Sequence, residues 1–372
     1  MHRELRPTDR LLLLPNHPTH ADAPIMVEAC RQAQCDPRFM AAYDVFLRSR
    51  LTAFIMQRLG AFSVDREGSS SRAMKRAMAI LDAPTSNQAG DLTIFPEGNV
   101  YLQNDRLTPF HDGAGFLALR AAESLAKRDI RLLAVPVSIR VTHVTDVRSA
   151  VRDRLMQLGD DLASPIDPRS TPLSALQQVG LSAIRRNLKH RGLAMPTELD
   201  LPTLIREGAG QVLTRLELKL DLAPDSHADL IGRVRSVRQM IHQIRIDPAR
   251  QADHAAARTW ADEAMLAFRI ISYSGDYVAA HPTIDRIAQT AEKLAEDVYG
   301  RKLPPLGDRD ALVQFNDPID TARSLATSRT RRQTIEAFTH DVEIAVQQGL
   351  DQIRSETSTV GSQLWTTALG DA

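Results

Sequence analysis

Short apolar runs alternate with helix-spaced patterns over the first 145 or so residues. Leu11–Leu14 is an uninterrupted apolar run, which is typical of a strand buried on both faces. From Asp22 onward apolar residues recur at helical spacing, with Ile25, Met26 and Ala29 on one face. The alternation continues with a predicted extended piece, helix, strand, helix and strand at residues 62–64, 73–81, 91–95, 113–125 and 131–141. Strands interleaved with helices predict an α/β fold with a largely parallel sheet flanked by helices.

A different pattern begins near residue 146, with few strand candidates and several helical stretches. The clearest predicted helices cover residues 173–189, 201–220, 227–246, 252–272 and 283–299. A strand pattern returns at Ala311–Phe315, and we expect it to rejoin the first sheet because an unpaired strand edge is prone to aggregation. The predicted organisation is an α/β core at 1–145, a helical insertion at 146–305, a returning strand and C-terminal helix of the core at 306–358, and a disordered tail at 359–372.

Composition and charge limit the classes of binding partner and the cellular compartment that the sequence predicts. The chain carries 46 Lys and Arg against 46 Asp and Glu, so its overall charge predicts no nucleic-acid partner. Cys30 and Cys35 are spaced neither as a redox pair nor as a zinc knuckle, which suits a reducing compartment. No apolar run approaches the roughly 20 residues of a membrane-spanning helix, and the charged first ten residues do not resemble a secretion signal. We therefore expect a cytoplasmic protein, either soluble or peripheral at the inner face of the membrane.

The sharpest chemical feature is the segment from Asn16 to Asp22, directly after the first apolar strand. Ligands of open α/β sheets bind beyond the carboxyl ends of strands, where His17 would lie. Five residues turn about 500° along a helix, so His17 and Asp22 can meet only with His17 in the loop and Asp22 in the first helical turn. The carboxylate would then orient one imidazole nitrogen and leave the other as a general base. A loop histidine beside a helix-capping aspartate is the structural alternative.

Three further blocks follow: Gly60 to Arg66, Phe95 to Gly98, and Val135 to Ile139. In this order and spacing, the four blocks resemble the glycerolipid acyltransferase family, which includes lysophosphatidate and glycerol-3-phosphate acyltransferases. The resemblance covers about residues 10–142 and the segment 311–319. It implies transfer of a fatty acyl group from acyl-CoA or acyl-carrier protein to a glycerol-phosphate or lysophospholipid hydroxyl. It also implies no cofactor and no acyl-enzyme.

The resemblance implies a role for each matching residue. His17 is the expected base and Asp22 its orienting partner. The expected substrate-binding residues come from the other three blocks and are Gly60, Phe62, Arg66, Glu97, Gly98 and Pro136. Arg66 is associated with the acceptor phosphate, since a guanidinium can hold two phosphate oxygens. Structural alternatives remain open: a surface ion pair for Arg66, a hydrogen-bonding group for Glu97, and a packing role for Pro136.

One block departs from the family pattern. A threonine and an arginine usually follow the glycine of the third block, but here Asn99 and Val100 follow Gly98. Arg106, or Lys75 with Arg76, could replace the missing cation, or the acceptor could differ from lysophosphatidate. This departure keeps open a catalytically silent lipid-binding or scaffold protein of the same fold.

Two further alternatives concern a metal and a membrane. His17, His20 and Asp22 form a local cluster that could serve a metal-dependent hydrolase, although known metal motifs have other spacings. The predicted helix at 227–246 carries four arginines beside an apolar face. Such a helix either lies on an anionic membrane or packs on a core with its charged side in solvent.

Overall fold

The computed structural model describes residues 6, 8–42, 46, 49–64, 71–83, 90–193, 195–223, 228–273, 275–325 and 330–371. These residues divide into two units, one formed by the chain up to 142 together with 310–358, the other by 143–309 together with the residues from 359 onward. That these units are domains in the sense predicted from the sequence stays a prediction.

The described strands of the protein form one sheet. They are β1 Arg10–Pro15, β2 Arg38–Ala42, β3 Ala61–Val64, β4 Leu92–Thr93, β5 Leu132–His143, β6 Arg309–Phe315 and β7 Ile319–Asp320. Their order is β3-β2-β4-β1-β5-β6, with β7 paired to β5. The pairs β1–β4, β1–β5, β2–β3 and β2–β4 are parallel, and β5–β7 is antiparallel. The predicted α/β fold with a mostly parallel sheet is confirmed.

Helices cover the sheet and build the second unit. Those of the first unit are α1 Asp22–Gln32, α2 Arg50–Arg58, α3 Ser71–Leu81, α4 Asp112–Ala126, α12 Thr321–Leu325 and α13 Arg331–Glu356. Those of the second unit are α5 Arg148–Asp161, α6 Pro172–Lys189, α7 Leu201–Lys219, α8 Leu230–Ile246, α9 His254–Ile271, α10 Tyr277–Ala280 and α11 Ile284–Tyr299. No helix among the described residues combines the length and apolar character needed to cross a bilayer.

The apolar run of β1 is buried along its whole length because both faces of the sheet are covered. Leu12 and Leu14 point into a core shared with α3, α4 and α13. Leu11 and Leu13 point to the opposite face, where α1 contributes Met26 and Cys30. The sheet therefore fixes both the position and the direction of the chain where β1 ends, immediately before His17.

In the second unit, one apolar core is shared by α5, α6 and α11 and another by α7, α8 and α9. Several of these helices begin at a side chain that accepts a backbone N–H of the first turn, as Asp200 and Asp229 do at 2.9 and 2.7 Å. The apolar face of α8 lies inside its core, with Val237 fully buried. The core-facing interpretation of this helix is thus the one that the structure supports.

The C-terminal segment differs from the disordered tail that we expected. Residues 360–362 and 369–371 form short 3₁₀ helices, and Trp365 and Leu369 are buried in the core of the second unit. The backbone N–H of Trp365 donates to Pro282 O at 2.8 Å. The segment was predicted to be disordered because most of its residues are small and polar, but its two buried apolar side chains, Trp365 and Leu369, anchor it.

Candidate active site

The chain is clamped to the sheet one residue before His17. Asn16 follows β1, and its side-chain amide donates to the carbonyl oxygen of Ile139 at 2.9 Å while its Oδ1 accepts the Ile139 N–H at 2.7 Å. Both bonds go to β5, the strand beside β1. This double contact holds the loop that carries His17 at the carboxyl edge of the sheet. No pattern in the sequence indicates this pairing, because it depends on which strand lies next to β1.

His17 and Asp22 are in direct contact. His17 Nδ1 lies 2.7 Å from Asp22 Oδ2, with Asp22 at the first position of α1 and fully buried. The N–H and hydroxyl of Thr19 also donate to this carboxylate, at 2.8 and 2.9 Å. An ionised carboxylate only accepts hydrogen bonds, so Nδ1 carries the proton and Nε2 keeps its lone pair. Among the described residues, none hydrogen-bonds Nε2 of His17.

The imidazole is covered on one side by an aromatic ring. Phe95, just past β4, stacks on His17 with ring centroids 4.4 Å apart and an interplanar angle of 28°. The His17 side chain keeps 15% of its surface exposed. A histidine held in this way has a fixed orientation and a small accessible face, which suits a base that must reach a bound hydroxyl while water is largely kept away.

Glu97 connects the ends of two neighbouring strands. Its Oε1 accepts the backbone N–H of His17 at 2.7 Å and its Oε2 accepts that of Thr108 at 3.3 Å. Only 4% of Glu97 is exposed, and this burial raises the pKa of its carboxyl from 4.5 to about 7. Both oxygens are used by backbone groups, so the geometry favours a positioning role. Contact of Glu97 with an acceptor stays a prediction.

Gly98 allows a second histidine to approach the turn after β4. Its φ is +72°, and a Cβ there would lie 2.7 Å from Cδ2 of the His111 ring. A side chain at this position would therefore be strained by both backbone and contact. His111 precedes α4, and its N–H donates to Pro96 O at 2.9 Å. Nothing in the local pattern singled out His111, which reaches the site only through the fold of the 98–111 loop.

Two other residues close to this edge were also missed. Asn104 bonds the backbone of Val141 through its side chain, with the Val141 N–H donating to Oδ1 at 2.6 Å. Asn104 thus makes the same pair of hydrogen bonds to β5 as Asn16, at Val141 instead of Ile139. Arg140 lies between these two positions and is 3% exposed, which places a buried guanidinium in this part of β5.

The structure does not bring every predicted site residue to this edge. Gly60 precedes β3, and its neighbour Ala61 pairs with Phe39, so Gly60 lies at the amino end of a strand parallel to the others. Phe62 packs on the sheet core. Pro136 is buried in β5 beside Leu14, and its carbonyl oxygen accepts the Asn316 N–H, as in a structural role. The prediction for Arg66 lies outside the described residues.

The structure also describes the residues that could replace the missing cation of the third block and those of the possible metal cluster. Lys75 and Arg76 are exposed on α3, and Arg106 is half-buried in the loop that contains Asn104. His20 is exposed, whereas the Asp22 carboxylate is buried. Within the described residues, no three His, Cys, Asp or Glu side chains are grouped closely enough to hold a metal ion.

Comparison with known proteins bears on the first unit. Residues 2–140 match the model of a family described as Acyltransferase. The family resemblance predicted from the sequence is thereby confirmed over these residues, which contain β1 to β4 and most of β5. Acyl transfer in general is supported for this region. No curated protein matches the chain.

Proposed function

We propose that the protein is an O-acyltransferase in which His17 is the general base and Asp22 orients it. The donor is an acyl thioester, acyl-CoA or acyl-carrier protein, and the acceptor is the hydroxyl of a glycerol phosphate or a lysophospholipid. The observation that carries the proposal is the 2.7 Å contact between His17 Nδ1 and the buried Asp22 carboxylate at the carboxyl edge of the sheet.

The proposed reaction is direct and needs no acyl-enzyme. Nε2 of His17 takes the proton of the acceptor hydroxyl as the oxygen attacks the thioester carbonyl carbon. The Asp22 carboxylate stabilises the imidazolium that forms. The carbon–sulfur bond then breaks, and the proton on Nε2 passes to the departing thiolate, which leaves as a thiol. The products are an ester and a free thiol, and His17 returns to its neutral state.

The surroundings of His17 support this use of the imidazole. The N–H of His17 is held by Glu97 and its ring by Phe95, so the ring enters the reaction already oriented. For the acceptor phosphate, the sequence resemblance points to Arg66. A phosphate-bearing acceptor follows from that resemblance and remains part of the proposal.

Thiol release from acyl-CoA in the presence and absence of glycerol 3-phosphate or a lysophospholipid tests the proposal. His17→Ala should lower acceptor-dependent turnover by roughly 10²–10⁴-fold, the usual contribution of a general base. The matched control is His20→Ala, which removes an exposed histidine three residues away and should leave turnover unchanged. A folded His17→Ala protein with full acceptor-dependent turnover would overturn the assignment. Acceptor binding by the wild-type protein without any turnover would favour the catalytically silent alternative.

A further inference from the structure

Helix α2 presents large apolar side chains to solvent. Leu51 is 67% exposed, Phe54 55%, Ile55 47% and Leu59, just past the helix, 44%. Their spacing of three, four and eight residues places them on one stripe, here called the α2 face. On the other side of the helix, Met56 packs on the core that contains Leu11 and Leu13 of β1. The more apolar side of α2 therefore points away from the protein, the reverse of an ordinary surface helix.

Basic residues outnumber acidic ones in the stretch of sequence that contains α2, by seven to three over residues 43–81. The described residues 46, 49–64 and 71–81 contain five basic side chains and no acidic one. The basic residues are Arg50, Arg58, Arg72, Lys75 and Arg76. Because the whole chain has a formal net charge of zero, this is a local excess. Within the face, the Arg58 guanidinium lies 5.1 Å from the centroid of the Phe54 ring.

The topology places this charge around one edge of the sheet. β3 is the edge strand, α2 leads into it from β2, and α3 follows it. Met56 of α2 packs with the core on one side of the sheet, and Ala77 and Leu81 of α3 pack with the core on the other. The basic residues of α2 and α3 therefore lie on the two sides of the edge formed by β3, and Arg50 and Arg58 lie on the same helix as the apolar α2 face.

We propose that the α2 face docks on an anionic phospholipid bilayer. The apolar side chains would enter the headgroup region, and the arginines and lysines would bind lipid phosphates. A second copy of this chain fits the surface less well, because a two-fold interface would set each basic patch against its own copy. The inference rests on exposure and charge and is independent of the chemistry at His17.

Co-sedimentation with vesicles of phosphatidylcholine, with and without phosphatidylglycerol, tests this surface. The wild-type protein should bind the anionic vesicles more strongly, and high salt should weaken that binding. The triple variant Leu51→Ser/Phe54→Ser/Ile55→Ser should lower the partition coefficient by about tenfold or more, since membrane affinity scales with buried apolar area. Arg50→Ala/Arg58→Ala should weaken binding to anionic vesicles and reduce its dependence on salt.

The matched control is Leu218→Ser/Ile246→Ser, which removes side chains that are 78% and 63% exposed on α7 and α8. It should bind vesicles like the wild type, and so should His17→Ala, whose loss of turnover would concern the active site alone. Circular dichroism checks folding, and Leu51→Ser alone serves if the triple variant is unstable. Unchanged vesicle binding by the folded α2 variants would overturn the proposal. So would a wild-type dimer in sedimentation that the triple variant converts to monomers with vesicle binding unaltered.

Discussion

At the scale of single residues, Asp22 combines full burial with three hydrogen-bond donors. His17 Nδ1 and both the N–H and the hydroxyl of Thr19 converge on its two oxygens. A buried carboxylate is stable only when its lone pairs are used, and its place at the start of α1 also puts it at the positive end of the helix dipole. The segment from Thr19 to Asp22 therefore requires a carboxylate that accepts hydrogen bonds with both oxygens. An asparagine at position 22 would place its NH2 group against at least one of these donors.

We expect Asp22→Asn to lower kcat by roughly 10²–10⁴-fold, because the amide cannot hold His17 in the tautomer that leaves Nε2 unprotonated. The measurement is the initial rate of acceptor-dependent thiol release at saturating substrate. Asp36→Asn, which changes an exposed carboxylate beyond the end of α1, is the control and should keep the wild-type rate. A kcat for Asp22→Asn equal to that of the control would show that the His17–Asp22 contact is structural only.

Glu97 should make stability depend on pH. Burial raises the pKa of its carboxyl from 4.5 to about 7, so the folded protein holds this proton over a range in which the unfolded chain has lost it. The stabilisation is fully present below pH 4.5 and is lost as the pH rises through 7. A shift of this size corresponds to about 3 kcal/mol.

Glu97→Gln removes this titration. The difference in free energy of unfolding between wild type and variant should therefore change by about 3 kcal/mol in favour of the variant as the pH rises through that window. Urea denaturation at a series of pH values measures it, and the slope matters more than the absolute stability, because the glutamine amide also alters the bonds to His17 and Thr108. Parallel pH profiles for the two proteins would refute the assignment of a proton to Glu97.

At the scale of elements, α13 lies against the sheet at a glycine. Ser138 Oγ of β5 donates to Val346 O of α13 at 2.7 Å and accepts from the Asn316 side chain at 2.9 Å. A Cβ at Gly349 would overlap both Ser138 and Asn316. The close approach of helix and strand, rather than backbone freedom, explains why a glycine stands in the middle of a 26-residue helix.

Gly349→Ala should lower the free energy of unfolding by about 1–3 kcal/mol, since the added methyl group overpacks this contact. Gly210→Ala in α7 is the matched control. Nothing lies within 4 Å of the added Cβ there, and better helix propensity should make this variant equal to wild type or up to about 1 kcal/mol more stable. Chemical denaturation measures both. If the two alanine variants were equally stable, the packing account of Gly349 would be wrong.

The elements that the sequence predicted are those with a strong periodic signal. The fully buried strands β1 and β5 and the helices α4, α6, α7 and α11 were predicted within a few residues of their observed bounds. β2, α2 and α5 were not predicted. α2 is apolar on both its inner and outer sides, so it shows no single clear stripe. α5 does carry a stripe, Val151, Leu155 and Leu158, but it is narrow, since only four of the 14 residues of the helix are buried. β4 was predicted over residues 91–95 but pairs as a strand only at Leu92–Thr93.

In the candidate site, the local contact could be predicted from the sequence, and the contacts with distant residues could not. The contact of His17 with Asp22 follows from local geometry, a loop followed by a first helical turn, and needs no knowledge of the rest of the fold. The clamps of Asn16 and Asn104 and the approach of His111 depend on residues far away in sequence, at 139, 141 and 98. Gly60 was assigned from a motif that begins before β3, and the direction of that strand places Gly60 at the amino end of the sheet, away from the carboxyl edge where β1 ends.

At the scale of the whole molecule, the chain enters each unit twice. It leaves the first unit after residue 142, returns at 310, and passes to the second unit again at 359. The final segment is anchored there by Trp365, which is 2% exposed, and by the Ile284 N–H, which donates to Gln363 O at 3.0 Å. The C-terminal residues are therefore part of the core of the second unit, although they follow the last helix of the first.

Both tryptophans of the chain, Trp260 and Trp365, lie in the second unit, so tryptophan fluorescence reports the unfolding of that unit. Trp365→Ala should shift the denaturation midpoint of Trp260 fluorescence by an amount equivalent to about 3–5 kcal/mol, because it leaves a large cavity among buried side chains. Leu364→Ala removes a neighbouring side chain that is 57% exposed and should change stability by no more than about 0.5 kcal/mol. Equal midpoints for the two variants would mean that the C-terminal segment does not stabilise the second unit, and the disordered tail indicated by its composition would then be the better description.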